Sequence, residues 1–281
     1  MSQALAVTRI SALTLLLALP SLAQRPIAAD AEAILERGRE KALAYTNSLP
    51  DFVCTEIIQR YKLSQPPALF SALRGASAAS VAPSWAPIER LTVRLSFFQQ
   101  KEDHKLELVN GQPTTLQYVS QDIGVAATGE FGGMLKRIFD PASQASFHWE
   151  SWKKARQHRT AVYGYSVAKD HSRFFVERGT PSGEKHRAVV GFHGTVEIDT
   201  ETGHVLHFDY TADGIPTTVA LTRSATSVDF DRVDIGGNSY ILPVRSETEL
   251  EGPNLALKNA VEFRAFGKFG ASSTVDFGVG K

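Results

Sequence analysis

The stretch Glu89-Arg-Leu-Thr-Val-Arg-Leu-Ser-Phe97 decides the fold class of this chain of 281 residues. The apolar residues Leu91, Val93, Leu95 and Phe97 alternate with polar ones. A period of two is typical of a β-strand with one covered face and one wet face. The stretch therefore predicts a sheet that buries a single face.

The same kind of pattern continues toward the C-terminus. Leu106 and Leu108 lead into Asn110-Gly111, a pair that supplies the positive φ values of a two-residue hairpin turn. Because the later strands follow one another through short turns, the sequence favours an antiparallel meander over parallel βαβ units. These strands are expected at 147–152, 161–167, 172–177, 187–199, 204–210, 216–230, 239–249, 259–266 and 273–277.

Two helices interrupt the strands. Residues 30–45 place apolar side chains at helical spacing, which predicts an amphipathic N-terminal helix. Residues 128–139 predict a second helix, with Thr128 as its cap, Glu130 near its N-terminus and Asp140-Pro141 at its end. Residues 64–87 are rich in Pro, Ala and Ser and predict a long loop or lid, with disorder as the alternative.

The first 23 residues have the layout of a secretory signal peptide. Arg9 precedes a short apolar run, and Ser21-Leu-Ala23 offers small residues for cleavage after Ala23. The run is about half of the ~20 residues that a membrane-spanning helix needs, so no integral membrane segment is expected after cleavage. Residues 1–23 are thus interpreted as a leader and residues 24–281 as one β-rich domain, exported to the periplasm or the outside.

Charge and cysteine content exclude several classes of protein. The chain has 30 basic and 30 acidic residues, and Arg9 is the only charged residue of the leader. Neither sign dominates, so a nucleic-acid partner is not expected. Cys54 is the only cysteine, which excludes an intramolecular disulfide and every multi-cysteine metal or redox motif. Cys54 lies in an apolar strand pattern and is interpreted as a buried, inert thiol.

Histidines and carboxylates near one hairpin invite a catalytic or metal-binding interpretation. His204 and His207 are three positions apart, which would place them on opposite faces of a strand, and His193 completes no known ligand set. Glu197, Asp199 and Glu201 are expected on a solvated face opposite Val196 and Ile198. No Gly-x-Ser-x-Gly motif is present. The sequence therefore predicts no metal, no cofactor and no catalytic residue.

The predicted strands carry many aromatic residues. Core packing is the simplest explanation for them. One curved sheet with only one or two helices can also leave part of its concave face open to an apolar ligand. The candidate residues for such a cavity are Phe97, Trp149, Tyr165, Ile198 and Phe208.

Three segments of the chain resemble known proteins. The runs 45–56, 128–135 and 194–203 resemble an uncharacterised family of secreted bacterial proteins. The third run, a strand that enters a Thr-Gly turn before a returning strand, is also similar to the outer-membrane lipoprotein carrier and sorting proteins of the LolA-like superfamily. That resemblance implies a half-barrel of antiparallel strands closed by helices, which carries acyl chains on its concave side. It transfers no functional residue.

The fold expected is therefore mainly β, a large curved antiparallel sheet of the half-barrel type with an N-terminal helix and one or two helices packed on it. The leading hypothesis for function is an exported, non-enzymatic protein that binds a lipid or a lipoprotein acyl chain in the cell envelope. A protein-interaction or structural component of the envelope is the first alternative. An unrecognised hydrolase, which would require a buried carboxylate or a Ser/His pair in a cleft, is the second.

Overall fold

One large antiparallel sheet dominates the computed structural model, which describes residues 28–64, 84–116, 130–155, 158–179, 184–253 and 255–270. Among these residues, eleven strands form the sheet in the order β4-β3-β2-β1-β13-β12-β11-β10-β9-β6-β5, and they do not close into a barrel. Strands β7 and β8 pair with each other in a second, two-stranded sheet. The strands are β1 Phe52–Ser64, β2 Ser84–Phe98, β3 Lys101–Val109, β4 Gln112–Pro113, β5 Ser146–Ala155, β6 His158–Val167, β7 Phe175–Gly179, β8 Lys185–Val189, β9 Gly191–Asp199, β10 Val205–Asp213, β11 Arg223–Ile235, β12 Asn238–Gly252 and β13 Leu255–Lys268.

Strand β2 has the alternation that its sequence predicts. Leu91, Val93, Leu95 and Phe97 are all buried, while Arg94 between them is exposed. The strand pairs with β1, which places Phe97 opposite Phe52 on the same covered face. The prediction of a large open antiparallel sheet is confirmed.

Two helices cover the buried face of the sheet: α1, Ala28–Ser48, and α2, Gly133–Phe139. They also contact each other. The Tyr163 hydroxyl donates a hydrogen bond to the Ala31 carbonyl at 2.7 Å, which fixes the start of α1 on β6. At Gly38, an added Cβ would lie 2.4 Å from Ile198 Cδ1, so the helix and the sheet are in close contact there.

Two of the three apolar clusters among the described residues fill the space between helices and sheet. One lies under α1 and α2 against β5, β6, β9, β10 and β11. The other joins β1, β2, β3, β12 and β13 with Phe131. Leu49, which follows α1, packs against both clusters. The clusters therefore form neighbouring parts of one interior.

The second helix is shorter than its sequence predicts. Residues 130–132 form a turn, and α2 begins at Gly133. Gly132 has a φ of +109°, a left-handed conformation that a helix cannot continue through. Glu130 is buried instead of lying at an exposed helix N-terminus. The expected cap, Thr128, lies outside the described residues.

Several strand boundaries also differ from expectation. The single strand expected at 187–199 is two strands of different sheets, which break at Val190. Gly191 follows the break, and an added Cβ there would lie 3.0 Å from the Val167 carbonyl oxygen, so the backbones of β9 and β6 are in close contact at this point. The start of the strand expected at 216–230 is a 3₁₀ turn at Thr217–Val219, and the strand expected at 172–177 begins only at Phe175. Residues 273–277 lie outside the described part of the chain.

The ends of the expected loop at 64–87 belong to strands. Strand β1 continues to Ser64, and β2 begins at Ser84, so that Trp85 pairs with Leu63. Pro87 is tolerated in β2 next to an irregularity in its register with β1. Residues 65–83 lie outside the described residues, and their role as a lid stays a prediction.

Candidate functional site

A pocket opens where one hairpin of the sheet is shorter than its neighbour. Strand β10 pairs with β11 from His207, which lies opposite Asp229, onward. Strand β11 continues past that point from Phe230 to Ile235 with β12 beside it. The step between the β9–β10 turn and the longer β11–β12 hairpin forms a notch, and the pocket in this notch has a volume of about 480 Å³. We refer to it as the notch pocket.

One wall of the notch pocket is apolar and aromatic. Tyr45 at the end of α1 meets Phe230 edge to face, with ring centroids 5.8 Å apart. The Tyr45 hydroxyl donates to the Ile241 carbonyl at 2.9 Å, so the polar end of this ring is already satisfied. Burial raises the pKa of Tyr45 well above its ordinary value, which keeps the hydroxyl neutral. The wall consists of Tyr45, Leu49, Leu206, Phe230, Tyr240 and Ile241.

The remaining part of the lining, the polar wall, contains carboxylates that pair with Lys or His side chains of other strands. Lys153 Nζ lies 2.5 Å from Glu197 Oε1, which joins β5 to β9. His158 Nδ1 lies 2.6 Å from Asp199 Oδ2. Burial by itself would raise the pKa of Asp199, but backbone N–H groups of Thr202 and Glu201 donate to its carboxylate and lower the pKa below its usual value.

His207 is the centre of a second charged group in this wall. Its Nδ1 lies 2.7 Å from Asp229 Oδ1, and its Nε2 lies 3.8 Å from Asp209 Oδ2. Burial alone would lower the pKa of His207, but the hydrogen bonds with Asp209 and Asp229 outweigh burial and raise the pKa to about 9. His207 is therefore a cation at neutral pH.

The two histidines expected on opposite faces both line the notch pocket. The register of β10 against β9 shifts between Val205 and His207, so the strand does not keep a strict period of two here. This β-bulge turns Leu206 toward the pocket and leaves Val205 in the core beside Phe208. For the same reason, Leu206 does not share the face of Phe208.

The expectation of a solvated face at Glu197 and Asp199 was also wrong. Their relative exposures are 4% and 2%, because the side chains of neighbouring strands cover them. They do point away from Val196 and Ile198, which pack in the core under α1. Only Glu201, in the turn, is exposed as expected.

The five sequence-predicted cavity residues lie in the packed interior. Tyr165, Ile198 and Phe208 belong to the cluster under the helices, and Trp149 packs against its edge. Phe97 belongs to the other cluster. The structure does not place them around the notch pocket, so a role in ligand contact stays a prediction for all five. The notch residues carry no motif, and the step between two hairpins is a tertiary feature.

Other expectations concern chemistry away from the pocket. Cys54 is buried, and burial raises the pKa of its thiol far above the ordinary value, as an inert cysteine requires. Within the described ranges, no group of three or more His, Cys, Asp or Glu side chains is placed to hold a metal ion. No helix among the described residues is long and apolar enough to cross a membrane.

Comparisons with known proteins give structural matches alone. No family model and no curated protein matches the chain. A LolA superfamily protein from Nitrosomonas europaea matches 85% of this chain and 94% of its own, at 9% identity and a TM-score of 0.36. A DUF1329 family protein from Desulfovibrio piger covers 92% and 96% of the two chains, at 8% identity and a TM-score of 0.35. A Vibrio parahaemolyticus domain described as an outer-membrane lipoprotein-sorting protein covers 84% and 92%, at 12% identity and a TM-score of 0.36.

The expected resemblance to LolA-like proteins is thus found again in the structural comparison. At identities of 8 to 12% and TM-scores of 0.35 to 0.36, no functional residue of this chain is assigned from these matches.

Proposed function

We propose that this protein is an exported binding protein that holds a small amphiphilic molecule in the notch pocket. The observation that carries the proposal is the lining of the pocket, which combines apolar side chains with carboxylates paired to Lys or His. Its volume of about 480 Å³ suits one acyl chain or a ligand of similar size. A lipid or a lipoprotein acyl chain has the required character, with a tail for the apolar wall and a polar head for the charged one.

The charges of the polar wall favour a ligand with a polar head over a purely apolar one. The described carboxylates Glu197, Asp199 and Asp229 each have a basic partner within 2.7 Å. An apolar tail beside these charged groups would form no hydrogen bonds with them. Hydroxyl or ester oxygens, by contrast, can accept hydrogen bonds from Lys153 and the histidines. The ligand would therefore enter with its tail toward Tyr45 and Phe230.

Binding of dansyl-undecanoic acid, followed by fluorescence, tests the apolar wall. Leu206 is half-buried at the bulge, so Leu206→Glu places a charge in the pocket without opening the core. We expect about tenfold weaker binding, since a carboxylate would have to be desolvated beside the tail. Ile88→Glu is the control, because Ile88 is an exposed apolar residue on β2 outside the pocket. Equal binding by the two variants would refute the proposal.

Native mass spectrometry of the purified mature chain provides an independent test. A co-purified lipid that is lost from Leu206→Glu but kept by Ile88→Glu would support the proposal. Protein free of ligand in all three forms, together with no dansyl-undecanoic acid binding, would exclude it.

Export is part of the same proposal. The leader pattern at residues 1–23 predicts cleavage after Ala23 and a location in the periplasm or outside the cell. N-terminal sequencing of the mature protein should begin within a residue or two of Gln24. A retained Met1 would exclude export by this leader.

A hydrolase is the second candidate, because a buried carboxylate in a cleft is the feature it requires. Glu197 is such a group, and Thr160 Oγ1 lies 3.5 Å from its Oε2. Turnover of an ester, peptide or glycoside panel that is abolished by Glu197→Gln would establish catalysis. Ligand binding without turnover would leave the binding protein as the function.

A further inference from the structure

A second pocket lies beside helix α2, away from the notch pocket. It is formed by the end of α2, the 3₁₀ turn Pro141–Ser143 that follows it, and the segment between β6 and β7. Its volume is about 300 Å³. The residues that define it as a basic cleft are Lys136, Arg137, His171 and Arg173.

The sequence of α2 explains why two of these cations face outward. Met134, Leu135, Ile138 and Phe139 are the buried residues of the helix. The residues between the two buried pairs are Lys136 and Arg137, which therefore lie on the opposite face. They also lie in the last turn, where a cation interacts favourably with the helix dipole. That explanation does not extend to Arg173, which comes from another segment.

The cations of the basic cleft have no partners of opposite charge in the described part of the chain. Lys136, Arg137 and Arg173 form no ion pair and no side-chain hydrogen bond with a described residue. Asp140 is the carboxylate in the lining of the cleft, and its Oδ1 accepts a hydrogen bond from the Ala142 N–H at 2.9 Å. The cleft therefore has an excess of positive charge.

Among the other exposed arginines that the structure describes, some pair with a carboxylate and others, such as Arg232, do not. Arg94 Nε lies 2.8 Å from Glu107 Oε1, although the Arg94 side chain is 63% exposed. Arg264 pairs with Glu262 at a similar exposure. The basic cleft is distinguished by the fact that three cations without a carboxylate partner among the described residues line the same cavity.

We propose that the basic cleft binds a phosphate-type oxyanion. Each guanidinium can donate two parallel N–H groups to a pair of phosphate oxygens, and the ammonium group of Lys136 adds a third positive charge. The volume of the cleft suits a phosphate group and excludes a whole lipid. The anion is either free phosphate or the headgroup of a phospholipid. This inference concerns a second site and does not depend on the notch pocket.

Titration with inorganic phosphate, followed by calorimetry, tests the free anion. Co-sedimentation with vesicles tests the headgroup, using phosphatidylcholine alone against an equal mixture of phosphatidylcholine and phosphatidylglycerol. The variant is the double substitution Arg137→Gln and Arg173→Gln. The control is Arg94→Gln with Arg264→Gln, which removes the same charge from exposed positions elsewhere. Thermal melts establish that both double variants are folded.

We expect the cleft variant to bind about tenfold more weakly than the wild type, and the control to bind like the wild type. Phosphate binding with this pattern identifies free phosphate as the source of the anion. Binding to the phosphatidylglycerol vesicles alone, with the same pattern, identifies the headgroup. Equal losses in both double variants, or no binding in either arm, would overturn the proposal. Neither arm contains a fatty acid. A failure of the phosphate proposal is therefore distinct from a failure of the proposal that the notch pocket binds an amphiphilic ligand.

Discussion

Gly38 marks the closest contact between helix α1 and the sheet. Its Cα faces Ile198, a fully buried residue of β9. Glycine within a helix costs about 1 kcal/mol relative to alanine, so the sequence alone suggests that Gly38→Ala would stabilise the protein. The contact reverses that expectation, because the new methyl group would lie 2.4 Å from Ile198 Cδ1.

We therefore expect Gly38→Ala to lower the free energy of unfolding by about 1 kcal/mol, the cost of overpacking minus the gain in helix propensity. Chemical denaturation is the measurement. The double variant Gly38→Ala with Ile198→Val removes the clashing Cδ1, so it should lose less than the sum of the two single losses. If the losses of the two single variants simply add, the contact with Ile198 does not restrict the side chain at position 38 of α1.

Glu130 is a carboxyl group buried beside other acids. Its relative exposure is 5%, and Ser246 Oγ donates to its Oε1 at 3.5 Å. Burial, and then the nearby Glu102 and Glu56, raise its pKa from 4.5 to about 8, against the opposing charge of His104. Because the folded pKa exceeds the unfolded one, the neutral form stabilises the fold. This contribution is complete below pH 4.5 and is lost as the pH rises through 8.

Glu130→Gln keeps the shape of the neutral acid and cannot ionise. We expect its Tm to match that of the wild type at pH 5 and to exceed it by several degrees at pH 9. Melting curves across this range provide the measurement. His207, whose pKa is also raised, adds a loss of stability toward pH 9 in both proteins and cancels in the comparison. If the Tm of the two proteins changed in parallel with pH, the raised pKa of Glu130 would be contradicted.

At the scale of the element, the period-two alternation of apolar and polar residues can be tested on strand β2. Phe97 stacks on Phe52 with centroids 5.2 Å apart and is 2% exposed, whereas Arg94 is exposed and pairs with Glu107. Phe97→Asp would bury a charge without a partner, and we expect a loss of roughly 3 kcal/mol or more. Arg94→Asp loses an exposed ion pair, worth up to about 1 kcal/mol. Similar denaturation midpoints for the two variants would contradict the assignment of Phe97 to the buried face of β2 and of Arg94 to the exposed face.

At the scale of the whole molecule, the shared sheet predicts a single unfolding unit. Leu49 packs against both apolar clusters, and β11 and β12 continue from one cluster to the other. Cys54 reports on one cluster, and Trp149 and Trp152 report on the other. In a Trp85→Phe variant, thiol labelling of Cys54 and tryptophan fluorescence should give the same denaturation midpoint. Two separate midpoints would mean that residues 24–281 are not one cooperative domain.

The sequence by itself determined the parts of this protein that depend on local patterns. Period-two alternation predicted β2 and its buried face, and the spacing at 30–45 predicted α1. The open antiparallel sheet followed from strands joined by short turns. These features could be predicted because each arises from the geometry of a single element or of a turn between neighbours.

The tertiary structure decided the features that depend on contacts between distant residues. The bulge at Leu206 changed the faces of β10, and the shorter β9–β10 hairpin opened the notch pocket. Glu197 became buried because Lys153, from β5, covers it. No local pattern encodes such coverage, since the partner of each group lies many positions away in the chain. The candidate site therefore emerged only when the strands were placed side by side.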